Sequence, residues 1–279
     1  MAQVRDRDIE AIENWIAKQP HLPKTFDELV IKKFLFSCDN SLERTKRCID
    51  EFCTRRAAMP EIYCDRDPVS RGLQTVFDTS TVTTYIAGDT EVLIHKLTSI
   101  DNFLFFDCIK AFTIQADHWI NRPLDPLPVH HVIVIDLQVY TAKVIPKFNI
   151  FYLQKFLVFL LESMPVRLKH VHLVNCPSFM DYFYGLIKPA LPDYICNLIH
   201  FHPSHAGLHK FIDKKYLPSD YDGDTQSMLE QSKIWVEEVC DKRKSFLDDG
   251  YWTADLSKKP KSGGVDDCMR GSFRTLAID

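Results

Sequence analysis

The stretch His131-Val132-Ile133-Val134-Ile135-Asp136-Leu137 decides the fold. Its apolar part, Val132–Leu137, is short and β-branched, the composition of a buried strand. Outward from it, a long apolar helix is expected over Asn149–Ser163, and Pro165 leads into a second strand, Leu168–Val174. Asn175-Cys176-Pro177-Ser178 then turns the chain into a very apolar helix, Phe179–Lys188. A third strand at Leu198–Phe201 and a polar run ending at Gly223 close the unit. Strands alternating with helices predict a largely parallel sheet covered by helices.

The Phe179–Lys188 segment carries the functional argument. Met180, Phe183, Ile187 and Leu191 make one stripe at helical spacing, and Phe179, Tyr182 and Leu186 make a second. A helix apolar around most of its circumference has more oily surface than one contact with a sheet can hide. Either it is deep core, or its spare stripe faces a ligand, a partner or a bilayer. Pro177 and Pro189 bracket it, as suits a flap hinged at both ends. The Asn149–Ser163 helix supplies a facing wall through Phe156, Phe159 and Leu160 on one side and Leu153, Leu157 and Leu161 on another. The expected pocket lining is Phe112, Ile133, Ile135, Tyr140, Phe156, Phe159, Leu160 and the Met180, Phe183, Ile187 and Leu191 stripe. Thr113, His131 and Tyr140 are candidates for a polar anchor, since such pockets add few polar groups to an apolar wall.

Flanking regions divide the chain in three: an all-helical unit over residues 1–75, the α/β body over 76–223, and a C-terminal helix and tail over 224–279. In the first unit Ile9, Ile12 and Ile16 recur at helical spacing, and the Pro20 to Pro23 stretch ends that helix. Thr25 with Glu28, and Asn40 with Glu43, have the spacing of capping boxes for two further helices, the latter stopped by Pro60. Lys32, Lys33, Arg44, Lys46 and Arg47 are read as a solvated helix face. Gly88-Asp89 signals a turn between strands Thr81–Ala87 and Val92–Leu97, and Asn102–Trp119 reads as a helix.

Composition narrows the function. A net charge of −4 argues against bulk attraction to nucleic acid or an anionic membrane. Phe156–Leu161 is the longest apolar run, against the ~20 residues a membrane helix needs. Met1–Glu10 lacks the apolar core of a signal peptide. Nine cysteines without a C-x-x-C pair read as reduced thiols in a cytoplasmic protein. His170-x-His172 and His200-x-His202 each place two imidazoles on a strand face, but no acid or cysteine sits at a ligand spacing, so no metal is expected. Hydrolase elbow, zinc-protease, P-loop and dinucleotide motifs are absent, so neither cofactor nor enzymatic activity is expected. Asp136 at a strand end reads as a cap or turn residue.

Taken together, His131–Leu137, Phe156–Leu161, Met164–Lys169, His172–Asn175, Pro177-Ser178-Phe179, Ile187-Lys188-Pro189, Ile199–His202 and Leu217-Pro218 resemble the CRAL-TRIO family. That family holds the lipid-exchange fold of retinaldehyde- and tocopherol-binding proteins. Gly271-Ser272-Phe273-Arg274 resembles the tail of many insect members. The resemblance implies an α/β bag with a sheet floor and a mobile lid helix. It implies a monomeric carrier that moves a retinoid, tocopherol or similar lipid between membranes without chemistry. Phospholipid or phosphoinositide transfer, and a lipid-sensing interaction module, are the alternatives. Arg167 and Lys169 match one basic pair that holds inositide phosphates in a tocopherol-binding member, whereas the second pair falls on Tyr194 and Leu198. Half a clamp implies weak, salt-sensitive membrane attraction. A glycine common after the Asp-Leu-x unit is Val139 here, which implies a different loop shape.

Overall fold

The computed structural model describes residues 4–260, so Cys268 and the Gly271–Arg274 resemblance lie outside the described residues. Five strands, β1 (Ser80–Ala87), β2 (Thr90–Leu97), β3 (His130–Asp136), β4 (Leu168–Val174) and β5 (Ile199–Phe201), form one sheet in the order 1-2-3-4-5. β1 and β2 pair as an antiparallel hairpin whose turn uses Gly88 at φ 65, a conformation that costs glycine nothing. The remaining neighbours pair in parallel. The crossovers contain α6 (Phe105–Ile120), α7 (Ile150–Glu162) and α8 (Met180–Ile187). Each element expected in this body is present, with boundaries moved by three residues or fewer.

Alternation along the central strand creates two unlike faces. Val132, Val134 and Asp136 are buried, while Ile133 and Ile135 between them are only partly so. On the buried face, here the back, the chain after β5 returns across the sheet. Leu208, Ile212, Leu217, Tyr221 and Met228 pack there with Val92, Ile94, Val132 and Val134. A short α9 (Asp193–Cys196) precedes β5, and the C-terminal helix α10 (Met228–Asp241) continues along β1 and α6. On the front face lie α6, α7 and α8.

The N-terminal unit comprises α1 (Asp6–Lys18), α2 (Glu28–Ser37), α3 (Leu42–Ala57), a short α4 (Pro60–Tyr63) and α5 (Arg71–Thr79). Three details differ from the sequence reading. The α2 cap is Asp27, whose carboxylate accepts the Val30 amide at 2.9 Å, while the Thr25 hydroxyl donates to the Tyr251 carbonyl. The α3 cap is Ser41, accepting from the Arg44 amide, with Asn40 left-handed at φ 58. In both, the oxygen three residues before the amide wins. Lys33 is buried, not solvated, and donates to the carbonyls of Trp119 (3.0 Å) and Arg122 (2.7 Å); burial lowers its ammonium to about 8. α5, absent from the sequence reading, begins at a Ser70 cap and turns Leu73, Val76 and Phe77 inward.

This unit shares its core with the rest of the chain. Arg56 and Arg66 both grip Asp117 of α6, the second at 2.6 Å, and Arg56 lies 4.1 Å over the Phe52 ring. Burial would raise the Asp117 carboxyl, but the two guanidinium groups outweigh it and hold it below the usual range. Beyond α10, Trp252 packs against Phe26 and Phe52, and the Ala254 and Asp255 amides donate to the carbonyls of Cys53 and His21.

Candidate functional site

Between the front face of the sheet and α6, α7 and α8 lies a cavity of about 250 Å³. Sheet residues Ile133 and Ile135 of β3, Val171 and Leu173 of β4, and Ile199 of β5 form its floor. Phe112 of α6 and Phe156, Leu157 and Leu160 of α7 stand as walls, and Met180, Phe183, Tyr184 and Ile187 of α8 face it from above. Among the described residues no lysine, arginine, aspartate or glutamate lines it. Its volume is just under the roughly 300–1,000 Å³ of ordinary small-molecule sites.

The structure brings ten of the eleven expected lining residues to this cavity: Phe112, Ile133, Ile135, Tyr140, Phe156, Leu160, Met180, Phe183, Ile187 and Leu191. Phe159 is elsewhere. It is 1% exposed and meets Phe52 (centroids 5.6 Å) and Tyr63 (5.4 Å), because that side of α7 packs on the N-terminal helices. The helix α8 turns its Met180–Phe183–Ile187 stripe inward, while Tyr182 of the other stripe is 64% exposed. Gln154 of α7 donates its side-chain amide to the Leu186 carbonyl at 2.8 Å, joining α7 to α8. Leu104, Phe151 and Tyr194 are also exposed.

The two basic residues separate. Arg167 is turned toward α2, donating to the Phe36 and Ser37 carbonyls, pairing with Asp39 at 2.7 Å and lying 4.8 Å over the Phe36 ring. These contacts tie Arg167 to α2 and the turn after it. Lys169 is exposed. The β3–β4 register shifts between His131 and Val132, opposite Lys169, which breaks the regular alternation there.

Of the proposed anchors, only Tyr140 reaches the cavity. Thr113 donates to the Lys110 carbonyl at 2.8 Å. His131 accepts the Arg167 amide at 3.1 Å beside a small gap near Lys33, Glu91 and Trp119. His95 lines the cavity and was missed, although Leu93, His95 and Leu97 alternate along β2 as a front-facing row. Burial lowers its imidazole to about 4. Val139 does not take a left-handed conformation.

On the back face, parallel pairing of β4 and β5 gathers His170, His172, His200 and, just past β5, His202. His172 Nδ1 meets His202 Nε2 at 2.9 Å, and His200 Nε2 meets His170 Nδ1 at 3.0 Å, with the Phe211 ring 4.6 Å from His172. Among the described residues no group of three or more histidine, cysteine or acidic side chains has metal-holding geometry. Asp136 accepts from the Gln138 amide, the Asn175 side chain and the Tyr221 hydroxyl, which ties the end of β3 to the returning chain.

Residues 2–73 match the family described as Pinta-like, UBA domain, and residues 117–223 match the CRAL/TRIO domain. Alpha-tocopherol transfer protein-like of Mus musculus is 23% identical over 253 residues, 85% of this chain and 73% of that protein. Clavesin-1 of Rattus norvegicus is 30% identical over 121 residues, 43% of this chain and 34% of its own. The crystal structure of Sfh5 shares the fold with a TM-score of 0.50 at 13% identity, covering 88% of this chain and 99% of that one.

Proposed function

This chain belongs to the CRAL-TRIO family, and from that premise we propose that it binds one small hydrophobic molecule beneath α8 and passes it between membranes. The observation that carries the reading is an apolar cavity without a charged side chain in its wall. Each phenylalanine that touches ligand instead of water contributes about 1.5–3 kcal/mol, and the costs of ordering the ligand are set against that sum. In this reading α8 is the lid. Opening it breaks the Gln154–Leu186 hydrogen bond and uncovers Met180, Phe183 and Ile187.

Membrane contact is assigned to the exposed side chains of Leu104, Phe151 and Tyr182, since amphipathic aromatic rings favour the lipid–water boundary. Lys155, 4.3 Å over the Phe151 ring, adds positive charge beside it. No helix among the described residues is long and apolar enough to cross a membrane. The proposed working form is a cytoplasmic monomer that visits membranes and performs no chemistry.

Native mass spectrometry of the purified chain tests this: a co-purifying lipid mass is expected, lost in Phe183→Asp, which puts an uncompensated charge in the cavity. A folded chain that carries no lipid and takes up no apolar probe would overturn it.

A further inference from the structure

Resting on that reading, the geometry points to a polar subsite in the cavity: His95, with Tyr140, hydrogen-bonds one uncharged hydroxyl or carbonyl group of the ligand. The front-facing row of β2 puts the His95 ring among hydrocarbon, edge-on to Phe112 at a centroid separation of 5.8 Å. Among the described residues neither its ring nitrogens nor the Tyr140 hydroxyl has a hydrogen-bond partner. A buried polar atom left unpaired costs roughly 1–3 kcal/mol, so a ligand that satisfies it is preferred over one that does not.

Both groups lie at the same end of the cavity. His95 pairs in register with Ile135, and Tyr140 follows directly from that strand, its amide donating to the Leu137 carbonyl. The buried Asp136 carboxylate acts electrostatically on both. Burial keeps the imidazole neutral at physiological pH and holds the phenol protonated, so the subsite offers donors and acceptors but no charge. An alcohol, phenol, aldehyde or ketone fits it. A carboxylate or phosphate would enter an apolar wall without a cation and would add to the repulsion from Asp136.

The test measures dissociation constants of the full chain for three fluorescent probes at pH 7.5: parinaryl alcohol, parinaric acid and diphenylhexatriene, a pure hydrocarbon. The alcohol should bind at least about tenfold tighter than the acid. His95→Leu should weaken alcohol binding about tenfold and leave diphenylhexatriene unchanged, the loss of one buried neutral hydrogen bond. His95→Gln, which restores a donor and an acceptor, should recover part of it. An unchanged alcohol affinity in His95→Leu, or acid binding as tight as alcohol, would overturn the subsite. Absence of diphenylhexatriene binding by the parent protein would instead remove the cavity reading on which it rests.

Discussion

Ile133 and Val134 are neighbours in the chain and opposites in the fold. Val134 is 0% exposed, pressed against Leu208, Ile212 and Leu217, whereas the larger Ile133 borders empty space. Both faces of the sheet are oily, so hydrophobicity does not separate them. What separates them is closure. The back is filled by a returning segment of the same chain, while the front is spanned by α6, α7 and α8 without being filled. A filled face stabilises the fold; a spanned one leaves its surface to something else.

The sharpest way to break this comparison is one carboxylate on each face. Val134→Asp should abolish cooperative folding, because an unpaired charge in a packed interior costs several kcal/mol out of a total of only about 5–15. Ile133→Asp should keep the native circular dichroism spectrum, since the shorter side chain displaces no packed neighbour on the cavity side, yet lose diphenylhexatriene binding by at least about a hundredfold. Similar stability losses in both would mean that the front is core. A gentler change comes next. Leu208→Ala, 0% exposed on the back, should cost about 2–5 kcal/mol in denaturant unfolding while probe affinity stays within about threefold.

Acid should press on both faces. Burial lowers His95 to about 4, and burial with the nearby Lys33 lowers His131 to about 4, from an unfolded value near 6.5. Both are neutral when folded and take up protons on unfolding, so their stabilising contribution is intact above pH 6.5 and falls as pH drops toward 4. Between pH 7 and 5.5 each should remove about 1 kcal/mol, with His172 of the back face, lowered to about 3, adding in the same direction. Thermal melting of the unliganded chain across that range checks the sign; a rising midpoint would contradict it. The smallest effect concerns the membrane. Lys169→Ala should weaken co-sedimentation with phosphatidylserine vesicles at low salt by at most about 1 kcal/mol, and the change should vanish at high salt. Arg167→Ala should instead lower stability, because its partners lie on α2 and in the turn after it.

Period-two and period-3.6 patterning made the sheet, α6, α7 and α8 legible from sequence, and with them most of the cavity wall. Phe159 was misplaced because α7 is apolar on two sides, and nothing in its own residues says which side meets the N-terminal helices. His95 went unseen because a lone histidine in an apolar row looks like any satisfied core residue until the space beside it is visible. Arg167 shows a third reason. Its partners are main-chain carbonyl oxygens and an acid about 130 residues away in the chain, a docking geometry that leaves no local signature.

Because side chains on a strand alternate, adding or removing one residue in β3 would exchange floor for core along the rest of the strand. The β3–β4 pair has one place where that penalty does not apply. His131 pairs with Leu168 and Val132 with His170, which leaves Lys169 as an extra residue in the ladder. Its loss would return the pair to regular pairing and leave Val171 and Leu173 facing the cavity. Chain length can therefore vary at position 169, near the start of β4, without turning the container inside out.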